Sequence, residues 1–213
     1  MALRNSGLEP PKARKKLLFV SGLLTIWLAV TAILADSGFY LGFDDMPPKI
    51  LFALLPAILV IIGLTIRPQT AALLRHLPIQ GIIYLQSFRI LVEVIFWVLW
   101  KEGIVHELLT FEGRNFDIIV GLTAPFVAYL YNPQKAWTKK LTIWWNIAGM
   151  LILLNIIIHA LLSAPTQFQV FDTNPPNTFV AYFPFVWLPA FIAPLAMLLH
   201  IFSLKQLIGK DEK

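Results

Sequence analysis

The chain has 213 residues, of which 58% are hydrophobic and 14% are charged, and its mean hydropathy is +0.72. A single soluble domain needs a more polar surface, and a disordered chain needs far more charge, so the composition excludes both classes. The sequence contains no cysteine, which also excludes a disulfide scaffold and a cysteine-ligated metal or cluster. We therefore predict an integral membrane protein built as an all-α bundle of transmembrane helices.

Six apolar segments are predicted to cross the bilayer, because each comes close to the length that its hydrocarbon core of about 30 Å requires. The loops between them are short and contain prolines that mark turns, such as Pro47-Pro48 and Pro175-Pro176. The predicted architecture is one six-helix domain at 17–204, between a basic segment at 1–16 and a charged tail at 205–213. The predicted spans are 17–35, 50–66, 79–100, 116–131, 141–162 and 179–199.

The basic residues predict the orientation of this domain. If the N-terminus is inside, 13 of the 17 lysines and arginines lie on the inner side, and Lys49, Lys101 and Arg114 lie outside. Because cytoplasmic loops are enriched in Lys and Arg, both termini are predicted to be cytoplasmic. The formal charge of +5 then reflects orientation and contact with anionic lipids, and gives no reason to expect a nucleic-acid partner. The cysteine-free composition fits a bacterial cytoplasmic membrane.

The first span follows a basic stretch at residues 12–16 and therefore resembles a signal peptide in outline. Its apolar run is longer than a usual signal sequence, and Ile33 stands where cleavage before Asp36 would favour a small residue. We therefore expect a retained membrane anchor.

The third span contains the most informative polar residues. Gln86, Arg89 and Glu93 are spaced i, i+3 and i+7, so they lie along one stripe of the helix. A charged side chain in the middle of a membrane is costly, so this stripe is predicted to face the bundle interior. One interpretation is a structural pair between Arg89 and Glu93, which are four residues apart. The other is a functional site, and the spacing leaves both interpretations open.

The outer loop at residues 110–117 is the second candidate region, because its residues include Glu112, Arg114, Asn115 and Asp117. In the simpler interpretation Asn115 caps the fourth span and Asp117 lies in its first turn, near the positive end of the helix dipole. In the alternative, Glu112 and Asp117 form a carboxylate pair above Glu93 that exchanges a proton or binds a cation. No metal site and no cofactor are expected, since His106-Glu107 lacks the second histidine of a zinc-protease motif.

The fifth and sixth spans contribute further candidates. Asn155 and His159 are spaced i, i+4 on the fifth span, at and just beyond the depth of Glu93, and they share a stripe with Ala148. If that stripe faces inward, Arg89, Glu93, Asn155 and His159 form a polar chain toward the outer surface, although hydrogen bonding between helices explains the last two equally well. The sixth span contains three prolines, which predict kinks: Pro184, Pro189 and Pro194.

Three functions fit these features. The first is transport of a small solute, an ion or a proton through the buried polar site on the third span. The second is a structural or accessory subunit with a packed polar core, which would bind a membrane protein or a second copy of itself. The third is an enzyme that acts on a lipid from the outer leaflet, with Glu93, Asp117 or His159 as acid or base. The expected partners are therefore the bilayer with a small solute or proton, or another membrane protein.

Overall fold

The computed structural model describes residues 10–209. Within that range the chain consists of helices and loops and contains no strand, which confirms the all-α class. The parts of the predicted terminal segments at 1–9 and 210–213 lie outside the described residues. Residues 10–16 and 205–208 of those segments are helical, because the first helix begins at Pro10 and the last continues to Ile208.

Prolines set several helix boundaries. Pro68 and Pro78 each stand at the start of a helix, where a missing N–H is harmless, and Asn132-Pro133 follows the end of another. Single turns of 3₁₀ helix at Phe39–Leu41, Glu107–Leu109 and Phe179–Ala181 lie in the three longest connections. The α-helices are α1 (Pro10–Asp36), α2 (Leu51–Ile66), α3 (Pro68–Leu74), α4 (Ile79–Leu85), α5 (Phe88–Lys101), α6 (Asp117–Leu130), α7 (Ala136–Leu162) and α8 (Ala193–Ile208).

Four helices in the described range are long and apolar enough to cross a membrane. They are α1, α7, the continuous 23-residue unit formed by α4 and α5, and the segment Leu188–Ile208. A fifth crossing results if α2 and α3, which meet at a bend of 76°, form one broken span. Helix α6 has 14 residues and is therefore about 21 Å long, which is short of the hydrocarbon thickness of about 30 Å. The helices support four or five spans, and the predicted sixth crossing is not confirmed.

The last helix differs from the prediction in both of its bounds. The predicted span 179–199 begins too early, because residues 179–187 form a 3₁₀ turn and further turns around Pro184. The helix starts as a π-helix at Leu188–Ile192 and continues to Ile208. Pro189 and Pro194 lack the N–H that a regular α-helix needs at those positions. The helix therefore continues past Lys205, where the charged tail was predicted to begin. The ammonium group of Lys205 donates to the carbonyl of Thr65 at the end of α2.

Helix α8 is the centre of the bundle. It packs against α7, α4 and α2, while α6 packs against α4, α5 and α7. Helix α1 lies at the periphery, and its apolar side chains from Leu17 to Leu24 are exposed. Its attachment includes two indole hydrogen bonds, from Trp27 to the carbonyl of Ala190 and from Trp187 to the carbonyl of Leu28. The polar residues of the third predicted span lie away from α1, among the helices formed by residues after 50.

Candidate functional site

Arg89 is the centre of a buried polar cluster that joins three helices. Its side chain on α5 is 2% exposed. Its Nε donates to Oδ2 of Asp117 at 3.1 Å, and its Nη2 contacts the other carboxylate oxygen of the same residue. A third donor, Nη1, lies 3.0 Å from Nε2 of His200 on α8. A bidentate contact of this kind fixes both the position and the orientation of the guanidinium plane.

The contact between Arg89 and Asp117 depends on a close approach of α5 and α6. Gly121 lies one turn after Asp117, and a Cβ atom there would be 2.9 Å from the backbone nitrogen of Ile90. Only a residue without a side chain allows the two helices to come this close. The first turn of α6 is held by Asn115, whose Oδ1 accepts the N–H of Asp117 at 3.1 Å. Asn115 thus binds the first N–H of this helix from one position earlier than predicted, because Phe116 occupies the N-cap position.

A chain of polar contacts runs from Arg89 on α5 through His200 on α8 to Asn146 in the first half of α7. Nδ1 of His200 lies 2.9 Å from Oδ1 of Asn146, and Nδ2 of Asn146 donates to Oγ of Ser203 at 2.9 Å. Because arginine can only donate, Nε2 of His200 must accept, so Nδ1 donates to Asn146. Gly149 makes room for this imidazole, since a Cβ at that position would overlap the ring of His200. The result is a chain of hydrogen bonds that all point the same way, from Arg89 to Ser203.

Glu93 lies one turn beyond Arg89 on α5 and is 1% exposed. Its Oε1 accepts a hydrogen bond from Nδ2 of Asn115 at 2.5 Å. The same amide nitrogen donates to the carbonyl of Leu109 at 3.1 Å, so the amide is held from both sides. The other oxygen of Glu93, Oε2, is buried without a hydrogen-bond partner.

Gln86 lies at the junction of α4 and α5, where the N–H of Arg89 bonds the carbonyl of Gln86 in a tighter i to i+3 pattern. Its Nε2 donates to the carbonyl of Ala196 on α8 at 3.0 Å, and its Oε1 has no partner. Gln86, Arg89 and Glu93 thus all face the interior, as the helical spacing predicted.

A cavity of about 130 Å³ adjoins this cluster. Its walls are largely apolar and come from α2, α5, α7, the π-helix and α8, for example Leu54, Val92, Leu153 and Ile192. Four of its polar lining residues converge at one place, and the remaining one, Asn177, comes from the loop before Phe179. The four that converge are Arg89, Glu93, Asn115 and Asp117. Within residues 10–209, no group of three metal-ligating side chains that could hold a metal ion was found.

The other candidate residues lie outside this cavity. Glu112 is exposed and accepts a hydrogen bond from the indole of Trp97 at 2.7 Å. Asn155 donates to the carbonyl of Arg114 at 2.7 Å, and His159 stacks on Phe171 with ring centroids 5.1 Å apart. The guanidinium carbon of Arg114 lies 6.0 Å from the centroid of the same Phe171 ring. These contacts hold the loop at residues 110–117 and the loop that contains Phe171 against α5 and α7.

Two details of the predicted geometry differ in the structure. Arg89 pairs with Asp117 and not with Glu93. The face of α7 that packs inward carries Thr142, Asn146 and Gly149, whereas Ala148 on the predicted stripe is exposed. The predicted chain from Glu93 through Asn155 to His159 therefore does not form, because α7 is rotated so that another stripe meets the bundle.

Sequence reasoning missed His200, Asn146 and Ser203. His200 lies one residue beyond the predicted sixth span, which ends at residue 199. A signal for Asn146 was available, since Thr142, Asn146 and Gly149 share one face of α7 as two polar residues and a glycine at helical spacing.

Comparison with known proteins adds a family but no activity. A model of a domain of unknown function, DUF8737, matches residues 47–208. This range includes the cavity and the polar cluster except for part of the loop that contributes Phe43, and it leaves out α1. No curated protein and no solved structure matches the chain. Because the match covers most of its length, the chain belongs to the DUF8737 family.

Proposed function

We propose that the protein binds an amphipathic small molecule inside the membrane and transports it. The observation that carries the proposal is the cavity, whose apolar walls end at one group of polar side chains. Small-molecule sites commonly have this composition, in which apolar walls supply most of the contact area and a few polar groups fix the orientation. A molecule with a hydrocarbon body and one polar end matches it.

The extent of the apolar lining favours a ligand with an elongated apolar body. Lining residues extend from Leu51 and Leu54 on α2 across to Leu153 and Ile156 on α7. An alkyl chain that displaces water from these side chains gains about 25 cal/mol for each Å² of apolar surface buried. Leu161, which also lines the cavity, is 39% exposed, so this wall continues into the apolar outer surface of the bundle, where a lipid-soluble molecule would arrive.

Two features favour transport over simple binding. The chain of hydrogen bonds from Arg89 through His200 and Asn146 to Ser203 extends the buried polar cluster beyond the cavity. The cavity is also lined by the π-helix at Leu188–Ile192, and π-helical turns are frequent at functional sites. A helix with this irregularity and two prolines is well suited to change its shape during a transport cycle.

A photoreactive ligand tests the proposal directly. The purified protein in lipid nanodiscs is irradiated with decanol that carries an alkyl diazirine, and the labelled residues are mapped by peptide mass spectrometry. We expect labels on cavity residues such as Leu153, and their loss in the variant Ala160→Phe, which places an aromatic ring into the cavity lining. The control Ala148→Phe lies on the exposed face of the same helix and should keep them. Equal labelling of both variants, with labels confined to lipid-facing residues, would contradict a ligand cavity.

The remaining functions differ from transport in what they require. A lipid-modifying enzyme would use Glu93 or Asp117 as acid or base, because among the described residues the cavity lining contains no serine or histidine. Product formation from the bound lipid would identify it. An accessory subunit would use the exposed helix α1, which lies outside the family match, to bind a membrane protein or a second copy.

The orientation and number of spans belong to this proposal as well. A transporter with six crossings and both termini in the cytoplasm, in a bacterial cytoplasmic membrane, agrees with the distribution of basic residues. It requires the bent pair α2 and α3 and the short helix α6 to cross. In that orientation the cavity reaches from the middle of the bundle into its outer half, since its lining residues come from the ends of α2, α6 and α7 that face the predicted outer loops and from the first nine residues of α5, in the middle of the span at 79–100.

A further inference from the structure

The charges at the polar end of the cavity do not balance. Arg89, Glu93 and Asp117 are the charged residues among the described cavity lining. The guanidinium group of Arg89 is committed to Asp117 and to His200. Glu93 makes no ion pair of its own with any residue of the described range. A deprotonated Glu93 would therefore leave one negative charge without a cation in contact.

The free oxygen of Glu93 is an unused acceptor at a fixed position. Asn115 occupies Oε1, while Oε2 is buried, has no partner and belongs to a residue that lines the cavity. A buried carboxylate oxygen without a hydrogen bond or a cation is strongly disfavoured. Only a ligand that binds in the cavity can supply a hydrogen bond and a positive charge to this oxygen.

We propose that the polar end of the ligand is an ammonium group that binds Oε2 of Glu93, and that a proton occupies this oxygen when the cavity is empty. This inference rests on the proposed function and names the class of its ligand, an amphipathic amine. In the exchange the O–H bond of the Glu93 carboxyl group breaks and its proton goes to water. The resulting carboxylate then accepts a hydrogen bond from the ammonium ion, so the net charge of the site stays constant.

Other head groups fit less well. A fatty acid would bring a third carboxylate next to Glu93 and Asp117, and Arg89, the one arginine among the described cavity-lining residues, already has partners. An alcohol can donate a hydrogen bond to Oε2 but supplies no charge, so its binding should release no proton. Primary amines combine a donor and a positive charge on one atom.

Few titratable groups can obscure the proton exchange. Those that face Glu93 are Arg89 on its own helix and Asp117 at the start of α6, and His200 lies behind Arg89. The cavity residues from α2, α7, the π-helix and α8 are apolar or proline. Proton release that depends on Glu93 can therefore be assigned to this carboxyl group with one substitution.

The test is isothermal titration of the detergent-purified full-length protein with decylamine, decanol and decanoate, corrected for protein-free micelles. Repeating each titration in buffers of different ionisation enthalpy gives the number of protons released. We expect decylamine to bind most tightly and to release up to about one proton per molecule, and its affinity to rise with pH as long as binding releases a proton. Glu93→Gln should weaken decylamine binding about tenfold to about a hundredfold and abolish the release, while the exposed control Glu102→Gln should behave as the wild type.

The outcomes separate this inference from the proposed function. If the three probes bind with equal affinity, or decanol binds best, while Ala160→Phe abolishes binding, the cavity is a ligand site but its ligand is not an amine. Decylamine binding without proton release, or with equal release in Glu93→Gln, would also overturn the inference. If no probe binds above the micelle background, and Ala160→Phe has no effect on labelling, the proposed function fails as well.

Discussion

The Arg89 and Asp117 pair gives the sharpest quantitative prediction for the stability of this bundle. Replacing Asp117 by Leu leaves the guanidinium group buried, with Nε and Nη2 deprived of their acceptors. Breaking a buried ion pair from one side costs about 3 to 5 kcal/mol in free energy of unfolding. For a protein of this size that corresponds to a decrease in melting temperature of roughly 6 to 20 °C. Arg89→Leu should cost about the same, because it strands the carboxylate and removes the donor to His200.

The double variant Arg89→Leu/Asp117→Leu should be more stable than either single variant. Both charges are then absent, and the remaining loss is the unpaired Nε2 of His200, about 1 to 3 kcal/mol. The four proteins form a double-mutant cycle, in which we expect a coupling energy of at least about 3 kcal/mol. Unfolding in mixed micelles titrated with SDS measures all four free energies.

A surface ion pair provides the control for this cycle. Asp45 and Lys49 lie 2.9 Å apart in the loop before α2, and their side chains are 50% and 39% exposed. Asp45→Leu should therefore change the free energy of unfolding by about 1 kcal/mol or less. The reasoning is refuted if Asp117→Leu costs no more than Asp45→Leu, or if the double variant costs the sum of the two single variants.

Three further predictions concern packing and topology. Gly149→Ala should lower the free energy of unfolding by about 1 to 3 kcal/mol in the same SDS titration, because the added methyl group overlaps the imidazole of α8, while Gly22→Ala, where nothing lies within 4 Å, should be neutral or stabilising. Gly121→Ala should push α5 and α6 apart, and the measurement that detects this is a smaller coupling energy in the cycle above; an unchanged coupling would argue against the close approach. In the cysteine-free chain, Glu102→Cys should react with a membrane-impermeant thiol reagent in intact cells and Gln134→Cys only after the membrane is opened, and the reverse pattern would invert the predicted orientation.

The polar stripe of the third span could be predicted because helix geometry is local. Gln86, Arg89 and Glu93 share one face of the continuous unit formed by α4 and α5, wherever that unit lies in the bundle, and the cost of exposing charge to lipid requires that face to turn inward. The same reasoning applied to α7 chose the stripe through Asn155 and His159. Two polar stripes were available on that helix, and which of them faces inward depends on neighbouring helices.

The sequence could not predict which side chains on different helices bond to one another, for a related reason. Whether Arg89 pairs with Glu93 or with Asp117 depends on how closely α5 and α6 approach, and this distance is set by a glycine at the crossing point. His200 lies inside the last helix, because that helix runs from Leu188 to Ile208 and continues past the predicted end at Leu199.

The sequence by itself determined the helical class, the apolar segments and the inward face of α5, because composition and a period of 3.6 residues act within one segment. The tertiary structure alone decided that Asp117, His200 and Asn146 meet around Arg89 and that Glu93 keeps one free oxygen beside a cavity. These contacts depend on the rotation and register of whole helices against one another. Many side chains fix that arrangement together, so no short stretch of sequence contains it.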